Sequence, residues 1–217
     1  MTGIRTLGID ISHYSGDIDW TTAANQKIHF VFAKASELFF SSSGKIIKAA
    51  DKYFPGYWSS LSKTSLKRGA YHFCRPGVDA KASIDFFLSV YKPASGDLLP
   101  TLDIEDQYAD DRTVPTQQKI DQISTMIAYL SEKLPKKRKP IIYTKQRVWK
   151  ALGDPDTFGC PLWVIDYNGT TDPKLPKAWD NFSFWQYSQN RQFPGVNGNV
   201  DPDYFNGRPE DLSALCL

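Results

Sequence analysis

The sequence predicts an α/β fold: an irregular, incomplete (β/α) barrel, TIM-like, closed by β-strands. Three observations predict it. Short apolar runs alternate along the chain with longer segments of helical period. One of those segments, TQQKIDQISTMIAYLSEKL, repeats Ile120, Ile123, Ile127, Leu130 and Leu134 at three and four residues, a single apolar stripe to lay on a sheet. From Asn168 onward Pro, Gly and Asn are frequent and no such stripe appears, which leaves no room for the final helices of a complete eightfold barrel.

The elements follow in order. TLGIDIS (6–12) and FVFAKAS (30–36) are short runs rich in β-branched and aromatic residues, as strands are. A helix is expected at 51–63, a strand at GAYHFC (69–74) and a helix at 79–91. LLPTLDIE (98–105) is the next strand, and the striped helix at 116–134 follows until Pro135 stops it. PIIYTK (140–145), a short helix at 146–152, PLWVIDY (161–167) and FSFWQYS (182–188) complete the series. Strand, helix and strand repeated this often imply parallel strands, right-handed crossovers and closure of the sheet on itself. The basic run KKRK at 136–139 follows a helix end, where cations suit the dipole and the solvent, and reads as a solvated loop.

A chain of 217 residues with 41% hydrophobic and 14% aromatic content can bury one sizeable core. With no internal repeat, low-complexity tract or linker in view, residues 1–217 are expected to form one domain. The 26 basic and 24 acidic side chains nearly balance, so net charge supplies no general attraction to nucleic acid or anionic membrane. Cys74, Cys160 and Cys216 are odd in number, widely spaced and without a CxxC pair, which argues against a disulfide scaffold or zinc site and for buried thiols. No apolar run approaches the ~18 residues of a membrane span, and MTGIRTLGIDIS lacks the basic head and apolar core of an export signal.

The stretch LLPTLDIED sets an apolar run against a cluster of acids. In a strand Asp103 and Glu105 project to the same side, so two carboxylates share one small volume and raise each other's proton affinity. A helix cap explains one acid but not two on one face. Catalytic groups of parallel barrels collect at the carboxyl ends of strands. Asp10, which ends LGID ahead of the polar SHYSGDIDW, belongs to such a rim or caps the next turn. Asp201 in GNVDPDYFNG precedes a proline, as ordinary turn formers do. Tyr71 and Phe73, Trp163 and Tyr167, and Trp185 and Tyr187 each share a strand face, either as flat surfaces for sugar rings or as barrel core. His13 and His72 have no obvious nucleophile partner, and Cys74 is on the same strand face as His72, which disfavours a serine or cysteine triad.

GIDISHYSGDIDW, FVFAKAS, GAYHFCRP, LLPTLDIED, PIIYT, LWVIDY and FSFWQYSQNRQFPGVNGNVDPDYFNG resemble, in order, the successive blocks of the family 25 glycoside hydrolases, the lysozymes or N-acetylmuramidases. The resemblance runs from about Leu7 to Gly207. It implies cleavage of the β-1,4 bond between N-acetylmuramic acid and N-acetylglucosamine in peptidoglycan, on a barrel of about five βα units plus extra strands. Carried over by position, it implies a catalytic set of Asp10, Asp103, Glu105 and Asp201, with Glu105 as general acid and Asp103 as orienting or nucleophilic carboxylate. On the same blocks Tyr71, Phe73, Tyr143, Trp163, Tyr167, Trp185 and Gln186 are expected to bind substrate. Cys74 stands where the family usually has a small residue, and Leu38 follows Glu37 where it usually has Gly, which bears on specificity and loop shape.

No metal and no cofactor are expected. The expected partner is the glycan strand of peptidoglycan, met by a monomer at the cell wall, extracellular or periplasmic, with neither nucleic acid nor membrane involved. Delivery would then rest on a holin, an injection system or a removed signal. Glu105 needs a raised proton affinity for its role, and the surrounding aspartates and partial burial are expected to supply it. Competing readings are a chitinase-type or endo-N-acetylglucosaminidase hydrolase, a metal-dependent nuclease using the four acids as ligands, and a catalytically silent wall-binding module. The chitinase signature would place further acids where Leu98 and Thr101 stand, and a nuclease would need a basic, phosphate-facing cluster.

Overall fold

The computed structural model describes residues 4–106, 113–169 and 171–217. The chain runs β1 (Thr6–Ile11), α1 (Trp20–Ala24), β2 (Phe30–Phe40), β3 (Ile46–Ala50), α2 (Phe54–Leu61), β4 (Lys67–Cys74), α3 (Ala80–Val90) and β5 (Thr101–Asp103). It continues with α4 (Thr116–Lys133), β6 (Ile141–Lys145), α5 (Gln146–Ala151), β7 (Leu162–Ile165), β8 (Phe184–Gln186), β9 (Arg191–Gln192) and β10 (Asn199–Phe205). Strands β1, β2, β4, β5, β6, β7 and β8 pair in parallel from β2 round to β8. β10 fills the remaining gap, antiparallel to both β8 and β1, and the β1–β2 pairing closes the barrel. The expected incomplete barrel of five βα units with extra strands is the fold observed, and the four expected helices lie within two to three residues of their predicted ends.

Differences from the expected elements have local causes. Strand 98–105 shortens to β5 because Pro100 has no N–H to give the ladder, although its carbonyl still accepts from Ile141 N. β10 contains Pro202, which reads as a turn in isolation, yet here it sits opposite Ile9 and accepts from Tyr187 N. The β2–β3 hairpin, with Phe40 opposite Ile46, continues β2 beyond the barrel wall. After β8 no helix returns the chain across the sheet, so it doubles back through β9 and pairs antiparallel.

Two apolar layers hold the barrel. Inside it, Phe32 stacks on Trp163 at 4.4 Å between ring centroids, and Phe184 meets Phe30 and Phe32 at 5.0 Å each. These large rings fit because Gly8 and Gly69 face them: a Cβ on Gly69 would lie 2.3 Å from the Phe32 ring. Outside it, Ile9, Val31, Ala33, Leu102 and Ile142 pack against the stripe of α4 and its neighbours. Where β7 and β8 lack covering helices, the coil residues Leu175, Trp179 and Phe182 pack over Leu162, Val164 and Trp185 instead. The three cysteines are free and buried, as the spacing implies.

Candidate active site

A parallel barrel strand delivers its last residues to one rim. Asp10 arrives there near the end of β1, and Asp103 and Glu105 at the end of β5. β10 runs the opposite way, so its beginning reaches that rim, and the register sets Asp201 directly opposite Asp10. All four acids line one cavity of about 250 Å³, together with Ser12, His13, Tyr14, Lys34, Glu37, Lys145 and Gln189. They come from three strands and nearly two hundred positions of sequence.

Gln186 organises one wall. Its Oε1 accepts from Tyr143 Oη at 2.9 Å and from Tyr167 Oη, while its Nε2 donates to Asp10 Oδ2 at 2.6 Å and more weakly to Asp201 Oδ2 at 3.4 Å. Asp201 Oδ1 also accepts from Asn190 N at 2.7 Å. Lysines stand over the opposite wall. Lys145 Nζ donates to Glu105 Oε2 at 2.7 Å, and Lys34 Nζ donates to Glu37 Oε2 at 3.2 Å and lies over the Phe73 ring. A bulge between Lys34 and Ser36 shifts the register of β2, so Lys34 and Glu37 both reach the cavity.

Burial dominates the electrostatics. Asp103 is pushed well above the usual carboxylate range, first by burial and then by the charge of Glu105, with Lys34 and Lys145 acting the other way. Asp10 is raised by burial and by the charges of Asp203 and Asp201, and Asp201 is raised mainly by burial. Tyr71 and Tyr143 are raised for the same reason, so both phenols are donors at any working pH. Asp103 Oδ1 has no donor among the described residues.

A family model described as Glycosyl hydrolases family 25 matches residues 9–196. The chain belongs to that family. Lysozyme M1 of Streptomyces globisporus is 32% identical over 218 residues, covering 96% of this chain and 70% of that protein. A bacterial lysozyme from Streptomyces coelicolor has a TM-score of 0.86 at 29% identity, covering 97% of this chain and 96% of its own. A family 25 glycosyl hydrolase from Bacillus anthracis has a TM-score of 0.81 at 26% identity, covering 98% and 94%. This member of the family 25 glycosyl hydrolases is therefore a glycoside hydrolase.

Of the expected binding side chains, Tyr71, Phe73, Tyr143, Trp163 and Tyr167 line the cavity. Trp185 does not: it faces outward, packed with Tyr187, Tyr204 and the Arg5 guanidinium, and its indole donates to Asp166 O. Its neighbour Gln186 necessarily faces inward, because adjacent strand residues take opposite sides. Gln186 is not among the residues that line the cavity; it lies buried behind the wall with its amide committed to two acids and two tyrosines. His72 is a core residue between the hydroxyls of Ser36 (2.9 Å) and Ser83 (2.7 Å), and His13 pairs with Asp51 at 2.9 Å.

Sequence reasoning leaves out Asp203, Lys34 and Lys145. Asp203 is fully buried on the same face as Asp201 and accepts from Trp163 Nε1 at 2.8 Å. The D-P-D spacing carried the signal, since it repeats the two-residue step of D-I-E. Among the described residues no group of three or more His, Cys, Asp or Glu is arranged to hold a metal ion.

Proposed function

We propose that this chain is a lysozyme that hydrolyses the β-1,4 bond between N-acetylmuramic acid and N-acetylglucosamine in peptidoglycan, with Glu105 as general acid. One observation carries the assignment of roles: Asp10, Asp103, Glu105 and Asp201 converge on a single cavity walled by tyrosines and tryptophan, in a member of the family 25 glycosyl hydrolases. Glycosidic cleavage needs a proton for the leaving oxygen and a group that steadies the developing positive charge on the sugar. Glu105 would supply the first, and Lys145, which donates to it at 2.7 Å, would stabilise the carboxylate left behind. Asp103 suits the orienting role. It is almost wholly buried, and its Oδ1 lacks a donor that the acetamido N–H of the sugar would provide. Held so, the acetamido oxygen can attack the anomeric carbon in place of an enzyme carboxylate.

Tyr71, Tyr143 and Tyr167 offer hydroxyls on apolar rings, the combination that sugars require. The acid–base groups all lie on this chain, so the reading calls for no metal, cofactor or second subunit. Its substrate places its work at the cell wall. Mass spectrometry of digested peptidoglycan tests the assignment. New reducing ends on N-acetylmuramic acid are expected, and reducing ends on N-acetylglucosamine would replace this reading with an endo-N-acetylglucosaminidase.

A further inference from the structure

Asp203 is a fully buried acid of the site that the proposed chemistry does not use. It projects from β10 into the barrel, opposite Gly8 of β1 and Gln186 of β8. Its Oδ1 takes the indole N–H of Trp163, whereas its Oδ2 has no donor among the described residues. The carboxyl of Asp203 interacts with another acid on the barrel interior, Asp10, whose Oδ2 is already occupied by the Gln186 amide. Two carboxylates cannot hydrogen-bond to each other unless a proton lies between them.

The surroundings offer no other compensation among the described residues. Asp201 from the same strand adds a third carboxylate. Tyr71 of β4, Tyr143 of β6 and Tyr167 beyond β7 face the group as neutral phenols, and Gln186 of β8 is neutral. Asp103 and Glu105 lie across the cavity from β5, where the cations Lys34 and Lys145 are engaged with Glu37 and Glu105. No lysine or arginine is among the leading influences on Asp10 or Asp203. An uncompensated pair of buried negative charges is far more costly than a pair that retains one proton.

We propose that Asp203 is a positioning residue that shares a single proton with Asp10, so that the pair carries one negative charge while the enzyme works. The shared proton gives Asp203 Oδ2 its missing partner and makes a short, charge-assisted bond between the two side chains. With the Gln186 amide on one oxygen and Asp203 on the other, the Asp10 carboxyl cannot rotate in the cavity. Burial raises the proton affinity of both members, which agrees with a proton retained at neutral pH.

The inference rests on the lysozyme reading only for its kinetic arm, and an infrared arm stands without any activity. Difference infrared spectra at neutral pH (wild type minus Asp203→Asn), with aspartate side-chain carbonyls isotope-labelled, should show a protonated-carboxyl band lost from the variant, whatever Asp103 and Asp201 contribute to both. The side-chain amide introduced by that substitution would donate a permanent N–H to Asp10, so kcat of Asp203→Asn should stay within about threefold of wild type. Asp203→Leu offers Asp10 nothing, and its kcat should fall by about tenfold or more with KM little changed. A wild-type spectrum without a protonated aspartate would overturn the proposal even if no variant folded. So would a band of unchanged intensity in Asp203→Asn, or full activity in Asp203→Leu. A failure of the lysozyme reading would show separately, as an unchanged rate in Glu105→Gln.

Discussion

Lys34 and Glu105 show how single side chains divide the work of the site. Glu105 is the proposed proton donor, and Glu105→Gln keeps the shape of the side chain while removing the acid. That variant should lose about a hundredfold to ten-thousandfold of wall-clearing rate with an unchanged circular dichroism spectrum. Full clearing by Glu105→Gln would end the assignment. Lys34 acts at a distance, because its charge lowers the proton affinity that burial and Glu105 raise at Asp103. Lys34→Met should therefore hold a proton on Asp103 to higher pH. The acid limb of kcat/KM against pH should move upward, and an unmoved limb would show that Asp103 does not need its charge. The D-x-E pair of these acids is legible in sequence from the two-residue step alone, whereas neither lysine is, since nothing local marks a lysine that points into a cleft.

At the scale of elements, the barrel interior depends on glycine opposite large rings. Gly69 of β4 leaves room for Phe32 of β2, which in turn stacks on Trp163 of β7. Gly69→Ala should force those rings apart, cost about 1–3 kcal/mol in thermal or denaturant unfolding, and disturb the cavity that Trp163 lines. Leu130 of α4 packs on the outer face of the sheet, away from the acids. Leu130→Ala should cost about 2–5 kcal/mol yet leave kcat unchanged at temperatures where it is folded. Equal kcat losses in both variants would mean that the interior rings do not position the site. The stripe of α4 is readable because period 3.6 is a local property. β10 is not, because Pro202 speaks locally for a turn and only its neighbours, β1 and β8, recruit it into the sheet.

For the whole molecule, the buried ionisable groups set how stability varies with pH. Asp10, Asp103, Asp201 and Asp203 all have proton affinities raised above the ordinary value of 3.8, chiefly by burial. The folded chain takes up these protons at higher pH than the unfolded one, so stability rises as pH falls from the alkaline side toward about 4. His72 opposes this. Burial, then the charge of Lys34, lowers it from 6.5 to about 3, so below about 6.5 only the unfolded chain gains that proton. The burial-raised aspartates should outweigh His72 and make the thermal midpoint higher near pH 5 than near pH 8. A midpoint that falls over that interval would mean that His72, and not the aspartates, sets the balance.

The sequence by itself determined the elements with strong local period, the buried thiols and the shared face of Asp103 and Glu105. It also contained the rule that Trp185 and Gln186 cannot both enter the site, since neighbours on a strand face opposite ways. Only the tertiary structure decided which of those two looks inward, that β10 runs antiparallel and so brings Asp201 to Asp10, and that Asp203 meets a second carboxyl in the barrel. The physical reason is that periodicity tells which residues share a face. Which face becomes the inside is settled by pairings between strands far apart in the chain, whose combined burial outweighs any local preference.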